Sequence, residues 1–193
     1  MKIEMIDFED LTKKFDDIMQ KKAWQVFVKK FKKAKKVYLI ANGGLHFTAA
    51  HAATDCTRLI PEKTCFSMDT TGFITSCAND HGYENLFVRW LTTSVPEEEK
   101  KDSLVIGMSC SGNSKNVTRC LSWADSAGMD SFMISGRESK RLDKGIKELD
   151  LECKYFHTVE VLCLILFYQM IHEMGYACPS ILREVERKDP WAV

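Results

Sequence analysis

The densest run of hydroxyl and small residues in the chain is Ser109-Cys110-Ser111-Gly112-Asn113-Ser114. It stands where a β-rich apolar run, Ser103-Leu104-Val105-Ile106-Gly107-Met108, gives way to a helical pattern over about 115–127. Three hydroxyls, a glycine that lets the backbone come close and the free N–H groups of a helix start make an anion site, with phosphate the natural guest. The run holds no lysine, and neither G-x-x-x-x-G-K-[ST] nor G-x-G-x-x-G occurs in the chain. A nucleoside triphosphate or a dinucleotide is therefore disfavoured. The competing reading is a serine-rich helix cap, since Ser and Asn are preferred caps in any protein.

Two pairs of titratable residues are spaced to share helix faces: His51 with Asp55, four apart, and His157 with Glu160, three apart. Glu160 is the only charged residue between Phe156 and Met170. A carboxylate in so apolar a helix must be paired, protonated or metal-bound, and in a cleft it can serve as a general base. A structural ion pair across a subunit interface is the alternative for Glu160, and a satisfied helix histidine is the alternative for His51. By spacing alone the four residues are better explained without a metal. The eight cysteines stand singly, with no C-x-x-C pair, so a zinc ribbon is not expected. Reduced thiols and a cytoplasmic protein are the simplest reading. Cys110, beside a helix start, is the one thiol expected to have a lowered pKa.

These residues need elements to hold them. Apolar residues from Leu11 to Phe31 recur at steps of three and four, which predicts one amphipathic helix over 10–31. A first strand over 35–40 ends at Ala41-Asn42-Gly43-Gly44, and a helix over about 46–59 is stopped by Pro61. A second strand over 64–68 follows, then helical pieces over 74–78 and 84–92 divided by an Asn79-Asp80-His81-Gly82 turn. Further strands are predicted over 103–108, 131–135 and within 149–156, and a very apolar last helix over about 158–174. Strands alternating with helices imply an α/β three-layer sandwich with a central five-stranded parallel sheet. In such sheets ligands bind beyond the carboxyl ends of strands at a topological switch point, which singles out the loops after the first and third strands.

Asn42-Gly43-Gly44 with His51 in the next helix, then Asn79-Asp80-His81-Gly82-Tyr83, then the serine loop together resemble a sugar isomerase (SIS) domain of flavodoxin-like fold, nearest to the phosphoheptose isomerases. The resemblance covers nearly the whole chain. It implies a single SIS domain over 1–193, with an N-terminal helix over 1–34 contributing to the oligomer, an α/β core over 35–176 and a tail over 177–193. It further implies a homodimer or homotetramer with ligand sites at subunit interfaces. The ligand would be a small-molecule sugar phosphate such as sedoheptulose 7-phosphate, interconverted between aldose and ketose. Binding would fall to Asn42, Gly43, Gly44, Asp80, Ser109, Cys110, Ser111 and Ser114, where Cys110 replaces the family's usual threonine and Leu45 replaces a serine. The family's catalytic glutamate corresponds to Asp55 and its first histidine to His51. On the last helix one register sets His157 at the family's glutamine and Ile165 at its histidine. The other, preferred because Glu160 then matches a glutamate common in SIS domains, sets Tyr168 at that histidine. Glu160 or Asp55 would be the base, and His51 or His157 would move the second proton or bind a metal. Zinc is the cofactor implied, at His51, Asp55, His157 and Glu160. The alternative is a non-catalytic phosphosugar sensor or a partner-binding protein like the SIS branch that associates with the bacterial replication initiator.

Charge sets the remaining bounds. Lysine plus arginine and aspartate plus glutamate both number 27, so net charge is zero and a strongly basic nucleic-acid binder is not expected. The lysine cluster over 29–36 reads as a solvated helix end. No stretch approaches eighteen uncharged apolar residues, so no membrane span is expected.

Overall fold

In β1 (Lys36–Ala41) the side chains of Val37, Leu39 and Ala41 enter one buried cluster while Tyr38 and Ile40 enter another. β3 (Ser103–Ser109) divides the same way, with Leu104, Ile106 and Met108 on one face and Val105 on the other. A strand buried on both faces belongs at the centre of a parallel sheet covered by helices on each side. A computed structural model, describing residues 8–179, has this architecture. The sheet order is β2-β1-β3-β4-β5, with β2 (Thr64–Ser67), β4 (Asp130–Ser135) and β5 (Lys147–Asp150), and every pairing is parallel. On one face lie α1 (Phe8–Gln20), α2 (Lys22–Lys33), α3 (Gly44–Leu59) and α7 (Phe156–Glu173). On the other lie α4 (Thr71–His81), α5 (Leu86–Ser94) and α6 (Lys115–Ser126). The expected five-stranded three-layer sandwich is the observed one. Phe27 of α2 pins its face to the sheet by stacking on Phe132, with ring centroids 4.8 Å apart, and by meeting Phe167 of α7 edge-on.

Three boundaries depart from the sequence pattern. The predicted single helix over 10–31 is two helices, because Lys21 is extended and its amine bonds the Asp150 carbonyl at 2.8 Å and pairs with Glu152 at the far end of β5. The apolar stripe continues through both pieces, burying Leu11, Ile18, Trp24, Phe27 and Phe31. Asn79, Asp80 and His81 form the last turn of α4 and not a loop, and the break falls at Gly82. The fifth strand ends at Asp150, six residues before the predicted limit, since the chain turns at Glu152 with a φ of 53° and α7 starts at Phe156. The tail expected over 177–193 lies largely outside the described residues, as do residues 1–7.

The lysines at the end of α2 are engaged in ion pairs, Lys30 and Lys33 with Asp130, Lys35 with Asp102 and Lys36 with Glu99. Among the described residues no helix is long and apolar enough to cross a membrane.

Candidate functional site

β1 and β3 are neighbours, yet β2 lies beyond one of them and β4 beyond the other, so the chain reverses its direction of winding between them. Their carboxyl ends are level, Ala41 opposite Met108. The loops that leave them part to opposite sides and open a crevice. The first amino acids of α7 form its third wall. The resulting cavity of about 240 Å³ is lined by Asn42, Gly43, Gly44 and Leu45 from the first loop and Met108, Ser109, Cys110, Ser111 and Ser114 from the second. Phe156 and Glu160 of α7 complete it.

The serine loop is folded tightly around its hydroxyls. Ser109 and Ser114 share a hydrogen bond at 2.9 Å between their Oγ atoms, and Ser111 Oγ lies 3.5 Å from Ser109 Oγ. Ser114 precedes α6 as its N-cap, but its side chain makes no capping bond to the helix. The helix-cap reading would use that hydroxyl on the helix N–H groups; instead it is turned into the loop, among the other two. Gly112 has a φ of 68°, and a Cβ there would come within 2.3 Å of the Arg137 carbonyl oxygen, so only glycine closes the turn. Asn113 ties the turn to the next loop by accepting from the Lys140 backbone N–H at 3.0 Å.

Across the cavity, the Glu160 carboxylate lies against the start of α3, where a Cβ built on Gly44 would stand 2.1 Å from its Oε1. Glu160 is half-buried, and among the described residues no cation or hydrogen-bond donor is bound to it. Its neighbour on the loop, Cys110, does not have the lowered pKa expected beside a helix start. Burial, and next the Glu160 carboxylate, push its thiol up to about 11.

Asn42 is held by two groups that the sequence pattern did not single out for this role. Its amide and that of Asn116 on α6 exchange hydrogen bonds, Asn42 Nδ2 donating to Asn116 Oδ1 at 2.9 Å and Asn116 Nδ2 donating to Asn42 Oδ1 at 2.8 Å. The Tyr83 hydroxyl donates to the same Asn42 Oδ1 at 2.9 Å.

The other candidate residues lie away from this cavity. His51 and Asp55 are joined at 3.2 Å one turn apart on α3, and His51 Nε2 is 3.0 Å from the Tyr168 hydroxyl on α7. Of the two registers proposed for the last helix, the structure sets Tyr168 opposite His51. Burial, and next the Asp55 carboxylate, raise the Tyr168 pKa. Asp55 also accepts from Arg58 at 3.0 Å. His157 is exposed in the first turn of α7. Asp80 is exposed in the last turn of α4, accepting from its neighbour Asn79 at 2.7 Å.

No family model matches the chain. Among curated proteins, the phosphoheptose isomerase of Histophilus somni (strain 2336) is 27% identical over 169 residues, covering 83% of this chain and 84% of the relative. That of Helicobacter pylori (strain P12) is 32% identical over 129 residues, covering 64% of this chain and 65% of the relative. The solved phosphoheptose isomerase GmhA of Neisseria gonorrhoeae superposes with a TM-score of 0.76 at 18% identity, over 87% of this chain and 94% of that one. The chain is thus similar in sequence to phosphoheptose isomerases and shares the fold of a solved one.

The zinc set expected from the resemblance to phosphoheptose isomerases does not gather at one point. Glu160 sits at Gly44, whereas His51 is seven residues further along α3, roughly 10 Å at the helical rise. Among the described residues no three His, Cys, Asp or Glu side chains are gathered so that they could hold a metal. Within one chain His51, Asp55, His157 and Glu160 therefore do not fit a shared ion.

Proposed function

We propose that this SIS domain binds a sugar phosphate and isomerises it between aldose and ketose, with the serine loop holding the phosphoryl group and Glu160 acting as base. The observation that carries the reading is one cavity with three serine hydroxyls on one wall and, on another, a carboxylate that no donor or cation among the described residues binds. Ser109 and Ser114 bond each other and Ser111 Oγ accepts from the Asn113 N–H at 3.2 Å, which leaves the hydroxyl protons able to turn outward and donate to phosphate oxygens. A carboxylate with free oxygens can take a proton from carbon. Glu160 removes the proton from the carbon beside the carbonyl, and the C–H electron pair forms the enediol double bond as the carbonyl pair moves to oxygen. The carboxylic acid so formed returns the proton to the neighbouring carbon, and a hydroxyl proton passes between the two oxygens. Asn42 lines the same cavity from the first loop, and its amide N–H not given to Asn116 is the proposed donor to the charge that develops on oxygen. Relatives named for phosphoheptose make a seven-carbon ketose phosphate such as sedoheptulose 7-phosphate the first candidate substrate.

Phe47 and Phe156 are 74% and 68% exposed on either side of the first loop. Large apolar side chains so exposed favour a homodimer or homotetramer in which a second copy covers them, and α1 and α2 are the proposed further contributors. The cytoplasm, where free thiols stay reduced, is the proposed compartment.

The test is turnover and thermal stabilisation of the purified protein across ketose and aldose phosphates. Glu160→Gln should lower turnover by at least about 100-fold, the usual worth of a general base, while phosphosugar still stabilises the fold. Ser111→Ala should weaken phosphosugar binding about tenfold, the loss of one charge-assisted hydrogen bond. Undiminished turnover in Glu160→Gln removes it as the base, and stabilisation without turnover by the native chain reassigns the domain as a sensor.

A further inference from the structure

The Asn42 amide has two N–H donors and one oxygen with two lone pairs. Amide oxygen and nitrogen are distinguished only by their partners, and here the partners leave one answer. Asn116, 3% exposed, is fixed by the backbone: its Oδ1 accepts from the Val117 N–H at 3.0 Å, and a backbone N–H cannot reverse its role. With Oδ1 on that side, Asn116 Nδ2 must face Asn42 Oδ1, and the reciprocal bond requires Asn42 to present Nδ2 to Asn116 Oδ1. The Tyr83 hydroxyl then takes the second lone pair of Asn42 Oδ1. The order runs outward from one peptide group in the first turn of α6 to the loop that follows β1.

We propose that Asn116 is a positioning residue of the site, locking the Asn42 amide so that one N–H donor and no acceptor remains for a ligand. An oxygen with a lone pair, such as a carbonyl or an enediolate oxygen, satisfies that N–H. An ammonium or any other pure donor finds no partner in Asn42. The identity of the oxygen rests on the phosphosugar reading; the locking of the amide does not.

Asn116→Asp tests it with almost no change of shape. One carboxylate oxygen still accepts from Val117 and from Asn42 Nδ2, but the other is set against Asn42 Oδ1 and the exchange is broken. The side-chain amide resonances of Asn42, assigned by their loss in Asn42→Ala, should shift and their hydrogens exchange faster with solvent. Turnover should fall ~10- to 100-fold, the cost of a misplaced contact group, mainly in kcat, with inorganic phosphate affinity unchanged. In an Asn42→Ala background Asn116→Asp should cost nothing further, because its effect runs through Asn42. An unshifted Asn42 amide, or a loss of equal size in that background, overturns the proposal. Should Asn116→Asp fail to fold, Tyr83→Phe must shift the same amide, and an unmoved signal there overturns it equally. A native chain that turns over no phosphosugar defeats the isomerase reading, and the amide signals alone then decide the role of Asn116.

Discussion

Gly44→Ala places a methyl group against the proposed base without touching any residue of the serine loop. The built Cβ lies 2.1 Å from Glu160 Oε1, 2.5 Å from its Cδ and 2.9 Å from Oε2, whereas real Cβ contacts stay beyond 3.0 Å. The carboxylate must therefore withdraw by about 1 Å, and since it is the far end of a flexible side chain it can do so. A 1 Å displacement of a reacting group costs ~100-fold in rate, or about 2.7 kcal/mol of transition-state stabilisation. The backbone has no objection of its own, because Gly44 is not among the glycines with positive φ. Gly44 is the first residue of α3, where the interior preference for alanine counts only in part, so the melting temperature should hold. The signature is divergence, with turnover lost and stability kept. Initial rates of phosphosugar isomerisation alongside a thermal melt measure both. Full turnover in Gly44→Ala would refute the placement of Glu160 as base, and a fall in stability matched to the fall in rate would show a packing effect instead.

Two further predictions concern protons. With its thiol raised to about 11 from the ordinary 9.0, Cys110 should react with iodoacetamide at pH 8 at about one hundredth the rate of an unperturbed accessible thiol, well after the exposed Cys178. Glu160→Gln should speed that reaction, and peptide mass spectrometry showing no change would separate Cys110 from Glu160. Asp130 is pushed up by burial, but the Lys30 and Lys33 ammonium groups outweigh this and hold its carboxyl below the usual range. Its stabilising contribution, about 1 kcal/mol for a partly exposed pair, is present above the unfolded carboxyl's pKa and is lost as pH falls through the folded value. The melting-temperature gap between the native chain and Asp130→Asn should close from pH 6 towards pH 3, and a constant gap would contradict the pairing.

How far the sequence could be read depended on the range of the interactions that decide each element. The continuous apolar runs over 37–41 and 104–108, each followed by small residues, are local signals, so the central strands, the switch between them and the serine loop were all visible. The break at Lys21 was not, because the groups that stabilise it, Asp150 and Glu152, come from the other end of the chain. The strand limit at Asp150 likewise depends on a turn at Glu152, a residue with no turn signature. Asn116 did leave a signal. Asn116, Val117, Cys120, Leu121 and Ala124 form one buried helical stripe, and an asparagine on an apolar stripe must be satisfied by a specific partner. That partner, Asn42, is 74 residues away, so the spacing marks the residue as buried but cannot give its role.

The seam between α3 and α7 sets how far apart the candidate proton-transfer groups of one chain stand. Gly44 meets Glu160 and His51 meets Tyr168, so the two helices run side by side in the same direction and divide the seam into two stations about two turns apart. A histidine at the second station stands too far to exchange a proton with carbons in reach of Glu160, the base proposed above. Isomerisation does not require it to: the two carbons are bonded neighbours, and one carboxylate on one face of an enediol can serve both. At the second station the Asp55 carboxylate and the Tyr168 hydroxyl both meet the same ring nitrogen, His51 Nε2. A phenol there has its pKa raised by burial and next by Asp55, so at neutral pH it keeps its proton. In the isomerisation proposed above the carbon chemistry therefore stays with Glu160, and the His51 cluster serves to orient an imidazole without cycling protons through its partner on α7.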